Sequence, residues 1–408
     1  MLTYQEAVGI VLRMVRPLPA VEVDLADALG RVLAEPVKAR WDLPALDNSS
    51  MDGFAFGYSG QKAGDEMAVV AFLPAGVPFA EAVPPGLAVK IMTGAPLPPG
   101  CDTVAPLEEV IEGEGRIRLI RGAGRGEHVR RRGEEVGYGE PLLHPGASIN
   151  PAEVGLLAAA GVSRLRVYPL PRVALLSTGD ELVELGQEPG PGQIVNSNFH
   201  LLAARLREEG CPVLPLGVAR DAVADLVSRV SPGLEADMLI STGGVSVGDR
   251  DLVQEALQRH DFELGFWRVN IKPGKPTLFG TAGGRPVFGL PGNPAASAAT
   301  FELFVRPALR RMAGFRDVFH PKLRVTLAAE VQGGEKRQRF LWGTLEDREG
   351  RYLFCPSPRQ GSNQNRSMQG AQALLPVPAE AGGLAAGEEV EVMLLRLPPG
   401  VAESGGGP

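Results

Sequence analysis

What is scarce in this chain excludes several chemistries. It has only three cysteines, Cys101, Cys211 and Cys355, far apart in 408 residues. They make no metal-binding spacing, and an odd count points to a reducing, cytoplasmic compartment. Five histidines are equally scattered and show no ligand spacing. No apolar run approaches the roughly 18 residues that a membrane-spanning helix needs. The opening Met1-Leu-Thr-Tyr-Gln-Glu-Ala7 carries an early acid and no apolar core, which argues against a secretory leader. A basic excess is also missing: the formal net charge of -7 speaks against a nucleic-acid binder. An anionic ligand would have to be held by local basic groups and backbone amides.

What is present fits a globular protein of two to four domains, with 44% hydrophobic and 22% charged residues. Glycine (52) and proline (36) are plentiful but spread along the chain, which means many turns rather than disorder. Thr3 and Glu6 form a capping box for a helix running to about Val15. A second helix is expected from Asp24 to Ala34, with Leu25, Ala28, Leu29, Val32 and Leu33 on one face. The turn-rich segment Asp42 to Ala55 then leads into short strands at Glu66–Phe72, Leu87–Met92, Thr103–Pro106 and Arg116–Leu119, a compact β module. Arg130-Arg-Arg132 follows, either a solvated face or an anion contact. Asn150-Pro-Ala-Glu153 starts another helix, and Tyr168-Pro-Leu-Pro171 reads as a boundary.

Residues 172–312 alternate strand and helix, as in a mainly parallel sheet with helices on both faces. Expected strands are Arg172–Ser177, Pro212–Val218, Asp237–Ile240, Gly265–Ile271 and Pro286–Leu290. A single long helix is expected from Asn293 to Met312. From about Lys322 short β runs return, the mark of an all-β terminal domain, and Pro398–Pro408 reads as a loose tail.

The stretch Ser241-Thr-Gly-Gly-Val-Ser-Val-Gly-Asp249 lies at the centre of this organisation. A buried strand precedes it and a helix follows, so glycine-freed amides and a helix N-terminus together make an anion pocket. No Gly-Lys-Ser/Thr closes it, and its glycine spacing is not the dinucleotide fingerprint. An ordinary tight βα turn has the same composition. Ligands of such sheets sit beyond the carboxyl ends of the strands, where four polar loops fall: Ser177–Glu181, Ala219–Asp221, Ser241–Asp251 and Lys272–Lys275. Lys272 and Lys275 flank Pro273-Gly274, and Asp180, Glu181, Asp221, Asp249 and Asp251 add carboxylates. Amides, lysines and acids on one face suit a magnesium ion bridging phosphate oxygens. Taken singly, Asp221, Asp249 and Asp251 also fit plain helix caps.

Six segments in order carry a resemblance: Asp47-Asn-Ser-Ser-Met-Asp-Gly53, Thr93-Gly-Ala-Pro96, Ser177-Thr-Gly-Asp-Glu-Leu182, Gly243-Gly-Val-Ser-Val-Gly-Asp249, Lys272-Pro-Gly-Lys-Pro276 and Gly289-Leu-Pro-Gly-Asn-Pro294. Together they resemble the molybdopterin molybdenumtransferase family, which includes MoeA and the gephyrin E domain. The resemblance implies an N-terminal helical and linker region (1–42 with 138–170) and an inserted β-rich module (43–137). It further implies a molybdopterin-binding α/β domain (171–315) and a C-terminal β domain (316–408). It implies that adenylylated molybdopterin and molybdate give molybdenum cofactor and AMP, with magnesium or a similar divalent ion. It also implies a homodimer with a shared cleft, and other enzymes of the pathway as candidate partners.

By that resemblance Glu181, Asp221 and Asp251 serve metal and catalysis, and Lys272 and Lys275 meet phosphate or molybdate. Asp52 and Thr93 face the partner's cleft, with Arg130 near it. Ser177, Thr178, Gly179, Gly243, Gly244, Ser246 and Gly248 hold the cofactor end, and Pro291, Gly292, Asn293 and Pro294 wall the pterin pocket. Two departures stand out. Glu135 replaces the family's aspartate after Arg-x-x-Gly-Glu, and Gln372-Ala373 replaces the Asn-Gly of the terminal domain. Two other readings keep the same central domain: a molybdopterin adenylyltransferase, and a non-catalytic cofactor carrier or scaffold.

Overall fold

The computed structural model describes residues 1–77, 79–220, 222–244 and 250–397, without the side chains of residues 250, 251, 252 and 254. The chain divides into two compact units, Met1–Ala20 with Tyr168–Pro408, and Val21–Val167. Helix α1 (Tyr4–Met14) belongs to the first. It opens on the expected capping box: Thr3 Oγ1 accepts from the Glu6 amide, and the Thr3 amide donates to Glu6 Oε2 at 2.8 Å. Tyr4, Ala7, Val8 and Val11 pack into the main core of that unit. The Tyr4 ring lies 5.3 Å from Phe340 and 5.7 Å from Phe304.

In the unit Val21–Val167, no helix forms over Asp24 to Ala34. Val21–Asp24 pairs antiparallel with Arg164–Tyr168, Leu25–Asp27 makes a single 3₁₀ turn, and Val32–Leu33 joins the same sheet. The helical spacing misled because its apolar residues are indeed buried together. Leu25, Ala28 and Leu33 pack with Leu157 and Leu165. Gly30, at φ +76°, turns the chain so that a strand ladder achieves this burial. Helix α2 (Pro151–Ala159) starts as expected, with the Asn150 amide donating to Glu153 Oε2 at 3.0 Å. The β module is a six-stranded sheet in the order Thr103–Pro106, Gly53–Phe56, Leu87–Ile91, Glu66–Leu73, Arg116–Leu119, Val110–Gly113. Phe54 and Phe56 enter one core and Ala55 another, the alternation of a strand covered on both faces.

The larger unit is built on a sheet whose strands are labelled in chain order: β1 (Val173–Thr178), β2 (Val213–Ala219), β3 (Met238–Thr242), β4 (Glu263–Trp267), β5 (Leu278–Ala282) and β6 (Arg285–Leu290). Their order is β2-β1-β3-β6-β5-β4. β1, β2, β3 and β6 run parallel, and β5 is antiparallel to both β6 and β4. β4 therefore points the same way as the parallel set. Alternate residues take opposite faces: Val173, Leu175, Met238 and Ile240 enter the core shared with α1, and Ala174, Leu176 and Leu239 enter the other. Helix α3 (Ser197–Glu208) contributes Leu202 and Leu206 to the first core. Helices α4 (Val223–Gly233) and α5 (Arg250–Gln258) cover the second.

Two expected elements are divided. The stretch Gly265–Ile271 is not one strand: β4 ends at Trp267, Arg268 sits at φ +71°, and Ile271–Lys272 pairs in a different sheet. The long helix is α6 (Pro294–Thr300), a π-helical turn (Phe301–Val305) and α7 (Arg306–Met312). The π turn carries Glu302, 5% exposed. There Arg205 Nε donates to Oε1 at 2.7 Å, and His320 Nε2 lies 2.8 Å from Oε2. Burial raises this carboxyl, but the His320 bond and the Arg205 charge outweigh it and hold it below the ordinary range.

The C-terminal strands Gln338–Arg348, Arg351–Pro356, Lys322–Leu327, Glu389–Leu394 and Ala373–Val377 follow one another in one sheet. Pairing of the first with the last closes a five-stranded barrel. Ile271–Lys272 adds to this barrel in register with Gln338 and Arg339. The tail Pro398–Pro408 lies outside the described residues.

Candidate active site

Strand direction brings the polar loops to one edge. The loops after β1, β2, β3 and β6 leave the carboxyl ends of parallel strands, and β4 points the same way. The connection from Arg268 to Thr277, with Lys272 and Lys275, therefore starts at that edge too. Helices α3, α5 and α6 begin after strands that end there, so their N-termini face it.

At the end of β1, Ser177 and Thr178 are buried. Ser177 Oγ donates to Asn196 Oδ1 at 3.1 Å, Thr242 Oγ1 donates to Ser177 Oγ at 3.4 Å, and Thr178 Oγ1 donates to the Thr242 carbonyl at 3.3 Å. These hydroxyls brace β1 against β3 and the start of α3. Gly179, at φ +144°, is followed by the exposed Glu181, whose carboxylate folds back so that a Cβ on Gly179 would lie 2.5 Å from Oε2.

Gly243 and Gly244 take φ of +82° and +65°. A side chain on Gly243 would strike the Thr178 carbonyl, and one on Gly244 would lie 2.7 Å from Thr178 Oγ1. Their glycine identity is thus already required by the protein's own packing, the tight-turn component of the sequence reading. The rest of the loop, including Ser246, Gly248 and Asp249, lies outside the described residues.

Across β6, Pro291-Gly292-Asn293 approaches this loop: a Cβ on Gly292 would lie 3.7 Å from the Gly243 Cα. Asn198 Nδ2 donates to the Gly292 carbonyl at 2.7 Å. Ser362, on a loop of the barrel, accepts from the amides of Ala295 and Ala296 at 3.0 and 3.3 Å, and Asn293 Nδ2 donates to Ser362 Oγ at 3.2 Å. The barrel thereby satisfies the free amides at the start of α6.

Charged groups at the edge are partly paired. Asp180 lies 3.7 Å from Arg220, with both side chains exposed. Lys272 Nζ donates to Glu335 Oε1 at 2.5 Å, and this bond holds the Glu335 carboxyl below its usual range. Lys275 is half-buried and has no ion pair among the described residues. Its carbonyl accepts from Val269 and Thr277, both at 3.0 Å. Asp221 lies outside the described residues, as does the side chain of Asp251 in the first turn of α5. Among the described residues no three His, Cys, Asp or Glu side chains gather as a metal site, and of Glu181, Asp221 and Asp251 only the Glu181 side chain is described. The cysteines are not activated nucleophiles: burial pushes the Cys101 and Cys211 thiols up to about 12.

The smaller unit brings Asp52 and Thr93 together. Asp52 Oδ1 accepts from the Thr93 amide at 2.7 Å and from Thr93 Oγ1 at 2.8 Å, which holds the carboxyl below its ordinary range. Two of the three arginines are taken up structurally. Arg131 pairs with Asp47 at 2.7 Å and Arg132 with Asp42 at 2.5 Å. Arg130 pairs through its backbone with Asn48, and its exposed side chain has no ion pair among the described residues.

The sequence reading took Thr242 only as part of the central stretch and gave no site role to Asn196, Asn198, Glu335 and Ser362. The asparagines carried a signal, two amides flanking Ser197 where α3 begins. The last two are brought in from far along the chain.

Comparison with known proteins covers nearly the whole chain. Residues 2–161 match the MoeA N-terminal region (domain I and II), 174–311 a probable molybdopterin binding domain, and 324–395 the MoeA C-terminal region (domain IV). Molybdopterin molybdenumtransferase 2 of Mycobacterium tuberculosis (strain H37Rv) is 34% identical over 408 residues, covering 96% of this chain and 99% of its own. The molybdopterin molybdenumtransferase of Nostoc sp. is 37% identical over 389 residues, covering 92% and 88%. The solved molybdopterin biosynthesis moeA protein from Pyrococcus horikoshii OT3 superposes with a TM-score of 0.81 at 28% identity, covering 97% of this chain and 100% of that one.

Proposed function

This chain belongs to the molybdopterin molybdenumtransferase family, enzymes of late molybdenum cofactor biosynthesis that insert molybdenum, and from that premise we propose how its residues do so. The substrates are adenylylated molybdopterin and molybdate, and the products are molybdenum cofactor and AMP. The observation that carries this reading is the meeting of the Gly243, Thr178 and Gly292 backbones at the edge where the lysine loop also begins.

The backbone amides of the 243–248 loop, with Ser246 and Gly248, bind the terminal phosphate of the pterin, while Ser177, Thr178 and Gly179 hold the strand end against them. Pro291, Gly292 and Asn293 form the pocket wall. Lys275, unpaired among the described side chains, meets the oxyanion, and Lys272, drawn to Glu335, adds positive potential beside it. The two dithiolene sulfurs bond to molybdenum, and an oxo oxygen leaves as water with the two thiol protons. The phosphoanhydride P–O bond breaks, and water supplies the new P–O bond. Lysine charge and aimed amides stabilise the anion that develops.

Glu181, Asp221 and Asp251 would hold a divalent cation, and their carboxylate oxygens are the hard donors that magnesium takes. Bound there, it neutralises phosphate charge. Asp52, Thr93 and Arg130 complete the cleft of a second copy in a homodimer. A cytoplasmic reaction agrees with three cysteines that form no disulfide, and no described helix is long and apolar enough to cross a membrane.

The test supplies the purified protein with adenylylated molybdopterin and measures AMP with and without molybdate. Molybdate-dependent release is expected. Adenylylation of molybdopterin from ATP, or no turnover in either reaction, would overturn the reading.

A further inference from the structure

Asn198, in the first turn of α3, is only 9% exposed. Its amide has one orientation open to it. Nδ2 faces the Gly292 carbonyl at 2.7 Å, and a carbonyl can only accept, so the nitrogen must be on that side and Oδ1 on the other. Oδ1 is then a buried acceptor with no partner among the described residues. Ser297 Oγ, one turn beyond Asn293 in α6, is buried and unpartnered as well. Buried amide oxygens are normally hydrogen-bonded, so an orphan at a ligand edge marks where a ligand donor belongs.

The place and the polarity narrow that donor. Asn198 opens the helix after β1, and Gly292 follows β6, at the carboxyl edge where Gly292 meets Gly243. An acceptor oxygen repels phosphate and molybdate oxygens, so neither anion is its partner. The ligand proposed for this edge carries two nitrogen rings with strong donors, the pterin with its 2-amino group and adenine with its 6-amino group. We propose that Asn198 is a specificity-determining residue whose Oδ1 accepts a hydrogen bond from the exocyclic amino group of the ligand's fused pyrimidine ring. The inference rests on the edge being the pterin–nucleotide site. It assigns one side chain to reading the base rather than the phosphate.

A thermodynamic cycle tests it. Wild type and Asn198→Leu, which keeps the bulk and removes the amide, are titrated with two ligand pairs. One pair is AMP and purine riboside 5′-monophosphate, which lacks the amino group. The other is tetrahydropterin and tetrahydrolumazine, in which oxygen replaces it. A general loosening of the Gly292 loop lowers affinity for both members of a pair alike, so it cancels. In one pair, wild type should favour the amino ligand about tenfold, and Asn198→Leu should bind both members within about twofold. Coupling in the pterin pair identifies the pterin as the source, and coupling in the nucleotide pair identifies adenine. Ligands that bind wild type with no coupling in either pair overturn the role of Asn198. Failure of wild type to bind either pair overturns the reading of the edge itself, and this inference with it.

Discussion

Glu302→Gln is the substitution whose effect follows most directly from the geometry. Glu302 sits at the π turn between α6 and α7, and the side chain of Arg205 reaches both its oxygens from α3, at 2.7 and 3.1 Å. The N-termini of α3 and α6 both face the carboxyl edge, so this pair cross-braces two helices that frame the site. Removing one partner of a buried ion pair costs about 3–5 kcal/mol. Here Arg205 keeps Glu208 and Glu209 nearby, and glutamine retains the shape and one acceptor, so a loss of about 2–3 kcal/mol is expected. For a unit of this size that lowers its melting temperature by roughly 4–10 °C.

The pH dependence has a definite sign. The folded carboxyl is held below its unfolded value, so its contribution is complete above the ordinary carboxylate range and is lost as pH falls through the folded pKa. The gap between wild type and Glu302→Gln should be full at neutral pH and shrink below about pH 4.3. Differential scanning calorimetry across pH measures both. A melting temperature within about 1 °C of wild type at neutral pH would refute the brace.

Three further outcomes follow from the edge. Asp251→Asn should still bind adenylylated molybdopterin, while molybdate-dependent AMP release falls at least ~10²-fold; wild-type turnover would remove Asp251 from the chemistry. Lys275→Ala should weaken molybdate binding more than pterin binding by titration calorimetry, and equal losses would contradict its role. Gly243→Ala combines a φ of +82° with a clash against the Thr178 backbone, so denaturant unfolding should show a loss of at least about 2 kcal/mol. A near-neutral effect would mean that the loop is not held as described.

Much of the α/β unit was legible because its periods are local. Alternation over 172–312 and the capping residue Thr3 each act within a few positions, and apart from the divided stretches 265–271 and 293–312 the elements they announce are present, as is the helix that Asn150 opens in the other unit. The segment 24–34 shows the limit. Its apolar spacing is helical, yet the partner that decides its conformation is a strand about 140 residues away, at Arg164–Tyr168. The same distance hides side-chain pairings. Nothing around Lys272 announces Glu335, nothing around Arg205 announces Glu302, and Arg131 and Arg132 look like the free anion contact until Asp47 and Asp42 claim them. Conversely, Gly243 and Gly244 look like openings for a ligand, whereas the Thr178 backbone and hydroxyl already demand them. A glycine pattern records close approach without saying what approaches.

The most direct test of the account is where molybdenum binds. A crystal soaked with molybdate, magnesium and adenylylated molybdopterin, with data collected at the molybdenum absorption edge, should show an anomalous peak at the carboxyl edge of the central sheet, beside Lys275 and near the Gly243 loop. A fully occupied peak at the opposite edge of the sheet, with that loop still bare, would contradict it.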